Sequence, residues 1–166
     1  MIILHTNYGD IAIELDIENT PKTAENFVQY IKSEFYDGTI FHRVIKGFMI
    51  QGGGFKQGMI QKPTNDTIQN EAPKAQKNKL GSIAMARTSD PHSASSQFFI
   101  NVSDNHFLDF KSTEADGWGY CVFGQVTDGI DIVKKISLVQ TTSRGGHADV
   151  PVDDVIIQSI EVVETQ

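Results

Sequence analysis

Apolar residues fall on every second position at both ends of this chain, and that alternation restricts the fold more than any other feature. Ile2, Leu4 and Thr6 alternate with Ile3 and His5, and Ile11, Ile13 and Leu15 alternate with Ala12, Glu14 and Asp16. A period of two sends successive side chains to opposite faces of a strand. Asn7, Tyr8, Gly9 and Asp10 supply turn chemistry between the two runs, so the chain opens with a hairpin. It closes on another alternating run, VIIQSIEVV at 155–163. Between them, 40–45, 49–52, SIAMAR (82–87), QFFINV (97–102) and YCVFGQV (120–126) read as short strands.

Two stretches have helical spacing instead. Thr20 caps and Pro21 opens a helix in which Ala24, Phe27, Val28 and Ile31 repeat on one face, ending near Ser33. GIDIVKKI (129–136) is a shorter helix with Asp128 as its cap. Loops are expected at 54–76, at TSDPHSASS (88–96), at 109–120 and over TTSRGGHADVPVDD (141–154). Many short strands with two helices imply an antiparallel barrel or sandwich. The 166 residues form one domain, 1–166, long enough to bury about 70% of its unfolded surface.

The formal net charge of −7 argues against a phosphate-backbone or anionic-membrane partner. A nucleic-acid platform of exposed aromatics is disfavoured for the same reason. No exposed apolar stripe demands a partner, so a monomer is expected. The single cysteine, Cys121, makes no intramolecular disulfide and reads as a small buried apolar residue. The N-terminal apolar run is only Met1 to Leu4, with no basic residues before it, and a cytoplasmic protein is expected.

The candidate chemistries are few. His5, His42, His92, His106 and His147 show no metal-ligand spacing, so no metal or other cofactor is expected. Asp90, His92 and the serines of SDPHSASS are too close in sequence to form a nucleophile–base–orienter line, and they read as a solvated loop. QGGGFKQG lacks the Gly-Lys-Ser/Thr ending of a phosphate loop, and its glycines read as sharp turning. What remains is FHRVIKGFMIQGG at 41–53, where Arg43 and Gln51 interrupt an apolar run. Strict alternation puts Phe41, Arg43 and Ile45 on one face. A guanidinium there is either snorkelling at a sheet edge or a donor fork held above an apolar pocket.

FHRVIKGFMIQGG, MAR (85–87), SSQFFINV (95–102), FLD (107–109) and VFGQV (122–126), in this order, resemble the cyclophilin family of peptidyl-prolyl cis-trans isomerases. The resemblance spans essentially the whole chain. The long middle loop and GWGYCVFG are most similar to the bacterial cytosolic members. It implies a closed eight-stranded antiparallel barrel capped by two helices, with the site on its outer surface. It implies Arg43 as the catalytic residue and Phe48, Met49, Phe99 and Leu108 as the proline pocket. Gln51 and Gln97 would form a polar rim, and the backbone of Ala86 and Arg87 would pair with the peptide. Phe107 stands where many members have tryptophan, which implies weak cyclosporin binding for want of the indole N–H. Tyr120 replaces a histidine at the rim, and Arg87 an asparagine. The implied partners are proline-containing peptides and folding proteins. The same pocket would also suit a proline-peptide binder or chaperone-like module without useful catalysis. A barrel holding an apolar ligand inside would need an interior cavity.

Overall fold

The computed structural model describes residues 1–114 and 117–163. Residues 115–116, part of the expected 109–120 loop, and 164–166 lie outside the described residues. The opening hairpin is β1 (Ile2–Thr6) and β2 (Gly9–Leu15), followed by α1 (Pro21–Lys32). Next come β3 (Thr39–Ile40), β4 (Arg43–Ile45), β5 (Met49–Gly52), β6 (Phe55–Lys56) and β7 (Ile60–Gln61). The second half holds β8 (Ser82–Met85), β9 (Phe98–Asn101), β10 (Val122–Asp128) and α2 (Ile130–Ser137). It ends with β11 (Thr141–Arg144), β12 (His147–Pro151) and β13 (Ile156–Val162).

The fold is mainly β with two helices, as expected, but the strand pairing is a curled half-barrel and not a closed ring of eight. Eleven strands pair in the order β4-β5-β9-β8-β10-β2-β1-β13-β3-β6-β7, leaving β4 and β7 at the edges. β11 and β12 form a separate two-stranded sheet whose second strand lies against β4. The inner face of the curl and one face of each helix share a core that includes Leu4, Ile13, Phe27, Ile50, Phe98, Phe123, Val133 and Ile136, each fully buried. Large rings fill the interior: Phe27 lies edge-on to Phe98 at 5.3 Å and tilted against Phe123 at 5.0 Å. Among the described residues no helix is long and apolar enough to cross a membrane.

Four sequence expectations need correction. The expected strand 40–45 is broken. Phe41 donates its N–H to the Val155 carbonyl (2.9 Å) and turns its ring into the core. Pairing then passes from β13 to β5 across residues 41–42, so Phe41 does not share a face with Arg43. The 54–76 loop contains the β6–β7 hairpin and a 3-10 turn at Ala72–Lys74. The 141–154 segment is a hairpin, with Gly145 and Gly146 both at positive φ in its turn. The helix caps also differ. Asp128 accepts only from the N–H of Gly129. Thr20 gives its hydroxyl to the Asp16 carbonyl, while the Glu71 carboxylate caps α1 by accepting from the Thr23 N–H and hydroxyl, both at 2.7 Å. Thr20 leaves its N-terminal donors open, and a carboxylate from the middle segment takes up one of them.

His42 lies beside Arg43 in the bend, packed on Phe55 at 4.5 Å with His147 of β12 beyond. Its Nδ1 is buried without a partner. Burial, reinforced by the charges of His147 and Arg43, lowers the imidazole to about 4. The unfolded chain takes up this proton near pH ~6.5, and the folded chain only near the lowered value. Stability from this group is therefore present above pH ~6.5 and is lost as the pH falls through that window, by about 3 kcal/mol. In His42→Phe, the drop in urea midpoint between pH 7 and pH 4.5 should be smaller than in the wild type. Equal drops in the two proteins would show that His42 does not titrate in this window.

Candidate active site

The site is built by strand register. β4 pairs with β5 so that Arg43 faces Gln51, β5 pairs with β9 so that Gln51 faces Phe99, and β9 pairs with β8 so that Phe99 faces Ala84. Directly opposed residues share a sheet face. Arg43, Gln51, Phe99 and Ala84 thus form one row across the outer surface, while Val44, Ile50, Phe98 and Met85 point into the core. A second apolar cluster grows on this outer face from Met49, Ala84, Phe99 and Val122, with Ile45, Phe48, Ala86, Leu108 and Tyr120 around it.

A cavity of about 130 Å³ opens in that cluster. Met49 and Phe99 form its buried base, at 2% and 4% exposure. Phe48 and Leu108 are half-buried at its sides, and Arg43 stands exposed at its edge. Ala86, Arg87 and Tyr120 close the opposite side, with the Tyr120 ring edge-on to Phe99 at 5.6 Å. Gln51 also lines the cavity, and Gln97 joins it from the strand-entry side. Gln51 accepts from Arg43 Nη1 at 3.4 Å and donates to Gln97 Oε1 at 3.0 Å. Gly54 makes room for this relay, since a Cβ there would lie 2.5 Å from the Gln97 side chain. Phe107 sits just outside, 65% exposed and stacked on Phe48 at 5.8 Å. Ala86 gives its N–H to the Gln97 carbonyl (3.0 Å), which leaves its carbonyl as its free backbone group.

Residues 1–162 match the family model described as cyclophilin type peptidyl-prolyl cis-trans isomerase/CLD. The chain belongs to the cyclophilin family. It is 56% identical over 164 residues to peptidyl-prolyl cis-trans isomerase B of Escherichia coli strain K12, covering 99% of this chain and 100% of that one. It is 55% identical over 160 residues to a Streptomyces antibioticus peptidyl-prolyl cis-trans isomerase, covering 96% of each. A Cryptosporidium parvum cyclophilin type peptidyl-prolyl cis-trans isomerase, crystallised in the presence of the dipeptide Ala-Pro, superposes with a TM-score of 0.80 at 29% identity over 99% of both chains.

The cavity of this cyclophilin holds no nucleophile. The buried Cys121 thiol is pushed up to about 12 by burial. In the 88–96 loop, the Nδ1 of His92 accepts from the Asn70 backbone N–H at 3.1 Å, and its ring lies edge-on to Trp118, so it serves none of the neighbouring serines. The chemistry on offer is a guanidinium beside a small apolar hollow.

Sequence reasoning missed the support beneath this hollow. Asn101 donates to Asn78 Oδ1 (3.0 Å) and Ser82 Oγ (2.9 Å), and accepts from Asn105 Nδ2 at 2.8 Å. Asn105 also donates to the Phe48 carbonyl (2.9 Å), and Asn78 to the carbonyls of Leu108 and Tyr120 (3.3 Å each). Three cavity residues from separate segments are thereby tied to one buried amide network. Asp109 anchors it: burial would raise its carboxyl, but the Asn78 backbone N–H and His106 outweigh that and hold it below the ordinary range. The one sequence signal was asparagine at otherwise apolar strand and loop positions, in QFFIN and DNHFLD. Asn101→Leu strands several buried partners at about 1–3 kcal/mol each. We expect it to lower the urea midpoint by the equivalent of about 3 kcal/mol without changing the slope. An unchanged midpoint would show that the network adds nothing.

Proposed function

We propose that this protein accelerates cis–trans isomerisation of X–Pro bonds in peptides and folding proteins, with Arg43 as the catalytic donor. The observation that carries the reading is a guanidinium with no carboxylate partner among the described residues, at the edge of an apolar hollow the size of a small ring, on the outer face of the sheet. The presence of Ala-Pro with the related Cryptosporidium parvum protein supports a proline peptide as the ligand.

The barrier to rotation is amide resonance, about 18–20 kcal/mol. Twisting the bond breaks resonance, and the prolyl nitrogen turns pyramidal and accepts a hydrogen bond. A donor placed there binds the twisted state better than either planar one, which is the condition for catalysis. Met49, Phe99, Phe48 and Leu108 hold the ring still while the preceding carbonyl swings. A proline ring seated in the hollow displaces water from beside the exposed guanidinium and so strengthens its bond. Gln51, itself oriented by Gln97, steers the Arg43 side chain, whose 3.4 Å bond to it is loose enough to yield to a substrate. The carbonyl of Ala86 and the neighbouring backbone of Arg87 pair with the peptide. Phe107 and Tyr120 extend the binding surface. Without an indole N–H at Phe107, cyclosporin binds weakly.

The reading takes the chain as one domain acting in the cytoplasm. The free buried thiol of Cys121 suits a reducing compartment.

Arg43→Ala removes an exposed side chain and should leave the circular dichroism and melting curve in place. By analogy with a single oxyanion donor, kcat/KM on a short X–Pro peptide, read by NMR exchange, should fall about 10²- to 10³-fold. Unchanged turnover in the mutant would falsify the role of Arg43. A folded wild type that binds the peptide without turning it over would make the protein a proline-peptide binder.

A further inference from the structure

Two cavities meet at Arg87. One is the hollow described above. The other, about 270 Å³, is bounded by Gln61, Thr88, Ser93, Ser95 and Gln97. Gln51, Ala86 and Arg87 wall both. Among the described residues no carboxylate lines either one, although the chain carries 21 Asp and Glu against 14 Lys and Arg. Among the described residues the ion pairs join His5 to Asp10 and Glu161, His106 to Asp109, and Arg144 to Asp154; none includes Arg43 or Arg87. A groove with two arginines and no acid is a local reversal of sign on a chain of net charge −7.

Arg87 is held in place by groups that leave its charge uncompensated. Nε and Nη2 both donate to the Gly119 carbonyl, at 3.3 and 2.8 Å, and Nη1 donates to the Thr88 carbonyl at 2.8 Å. Its guanidinium carbon lies 4.5 Å from the centre of the Tyr120 ring. Gly119 has φ +66°, and a Cβ there would lie 2.6 Å from the Leu108 carbonyl oxygen, so glycine is needed to present this acceptor. A guanidinium carries five N–H donors. These bonds leave one N–H on each terminal nitrogen, in a planar group whose rotamer is already fixed. Such preorganisation lowers the ordering cost of binding an anion.

We infer that Arg87 makes this enzyme select proline substrates that carry an Asp or Glu carboxylate on the peptide arm leaving the proline hollow over Arg87 towards the second cavity. The inference rests on the isomerase reading and assigns the Arg87 side chain a task separate from its backbone. The planar fork suits a carboxylate's two oxygens, whereas a lysine on that arm meets the like charge of Arg87.

The test is a panel of short alanine-based proline peptides with Glu, Gln or Lys placed in turn at the two positions on either side of proline. NMR exchange gives kcat/KM and isothermal titration gives Kd, each at low salt and at about 0.5 M salt. On one flank Glu should be preferred over Lys by about fivefold at low salt, the size of a partly exposed ion pair, and by less at high salt. Arg87→Gln should bring that ratio to about one, and Arg87→Lys should retain part of it. A ratio near one at every position in the wild type, or a preference that survives Arg87→Gln, overturns the inference. Failure to turn over the all-alanine peptide would defeat the isomerase reading instead, and the Kd ratios would still decide the charge preference.

Discussion

The antiparallel register of β4, β5, β9 and β8 is the constraint on which the rest depends. It sends Ile50, Phe98 and Met85 inward to close the core, and it sends Gln51, Phe99 and Ala84 outward, where Gln51 and Phe99 line the cavity beside Arg43. A slip of one residue would exchange the two sets, placing Gln51 in the core and Ile50 in water. The hydrophobic energy that selects the core register therefore also aligns the site. The adjacent phenylalanines of QFFI divide this labour: Phe98 meets Phe27, Tyr36 and Phe41, and Phe99 meets Tyr120.

Loops reach this rigid surface through buried polar groups. Asn78, Asn101 and Asn105 gather the carbonyls of Phe48, Leu108 and Tyr120, three segments with no strand pairing between them. Glu71 ties the middle segment to the start of α1, and the Tyr30 hydroxyl accepts from the Asn65 N–H. An amide network of this kind is costly when half-satisfied and directional when complete. It fixes where a loop sits to within a hydrogen bond, which apolar contact alone does not.

The electrostatics of the site follow from what is absent as much as from what is present. Carboxylates are plentiful on this chain, yet the described residues lining the two cavities are apolar groups, amides, hydroxyls and two arginines. A nearby carboxylate would neutralise Arg43 and weaken it as a donor. Carbonyl and amide oxygens hold Arg43 and Arg87 in position and leave their charge available to a ligand.

Much of this was legible from the residues. Alternation located the opening hairpin and the terminal strand, short apolar runs located β8, β9 and β10, and helical spacing located α1 and α2, because such patterns are local properties of the chain. Arg43 and Gln51 stood out because polar groups in an apolar run demand a reason, and the motifs around them were specific enough to suggest the family. Tertiary structure decided the rest. The bend at 41–42 separated Phe41 from Arg43 because pairing moved from β13 to β5, a change of partner that no local pattern records. The Glu71 cap and the asparagine network depend on groups distant in sequence, and the β6–β7 and β11–β12 hairpins, local in themselves, lie against β3 and β4. Periodicity states which side chains share a face; only the pairing of distant strands states what that face meets.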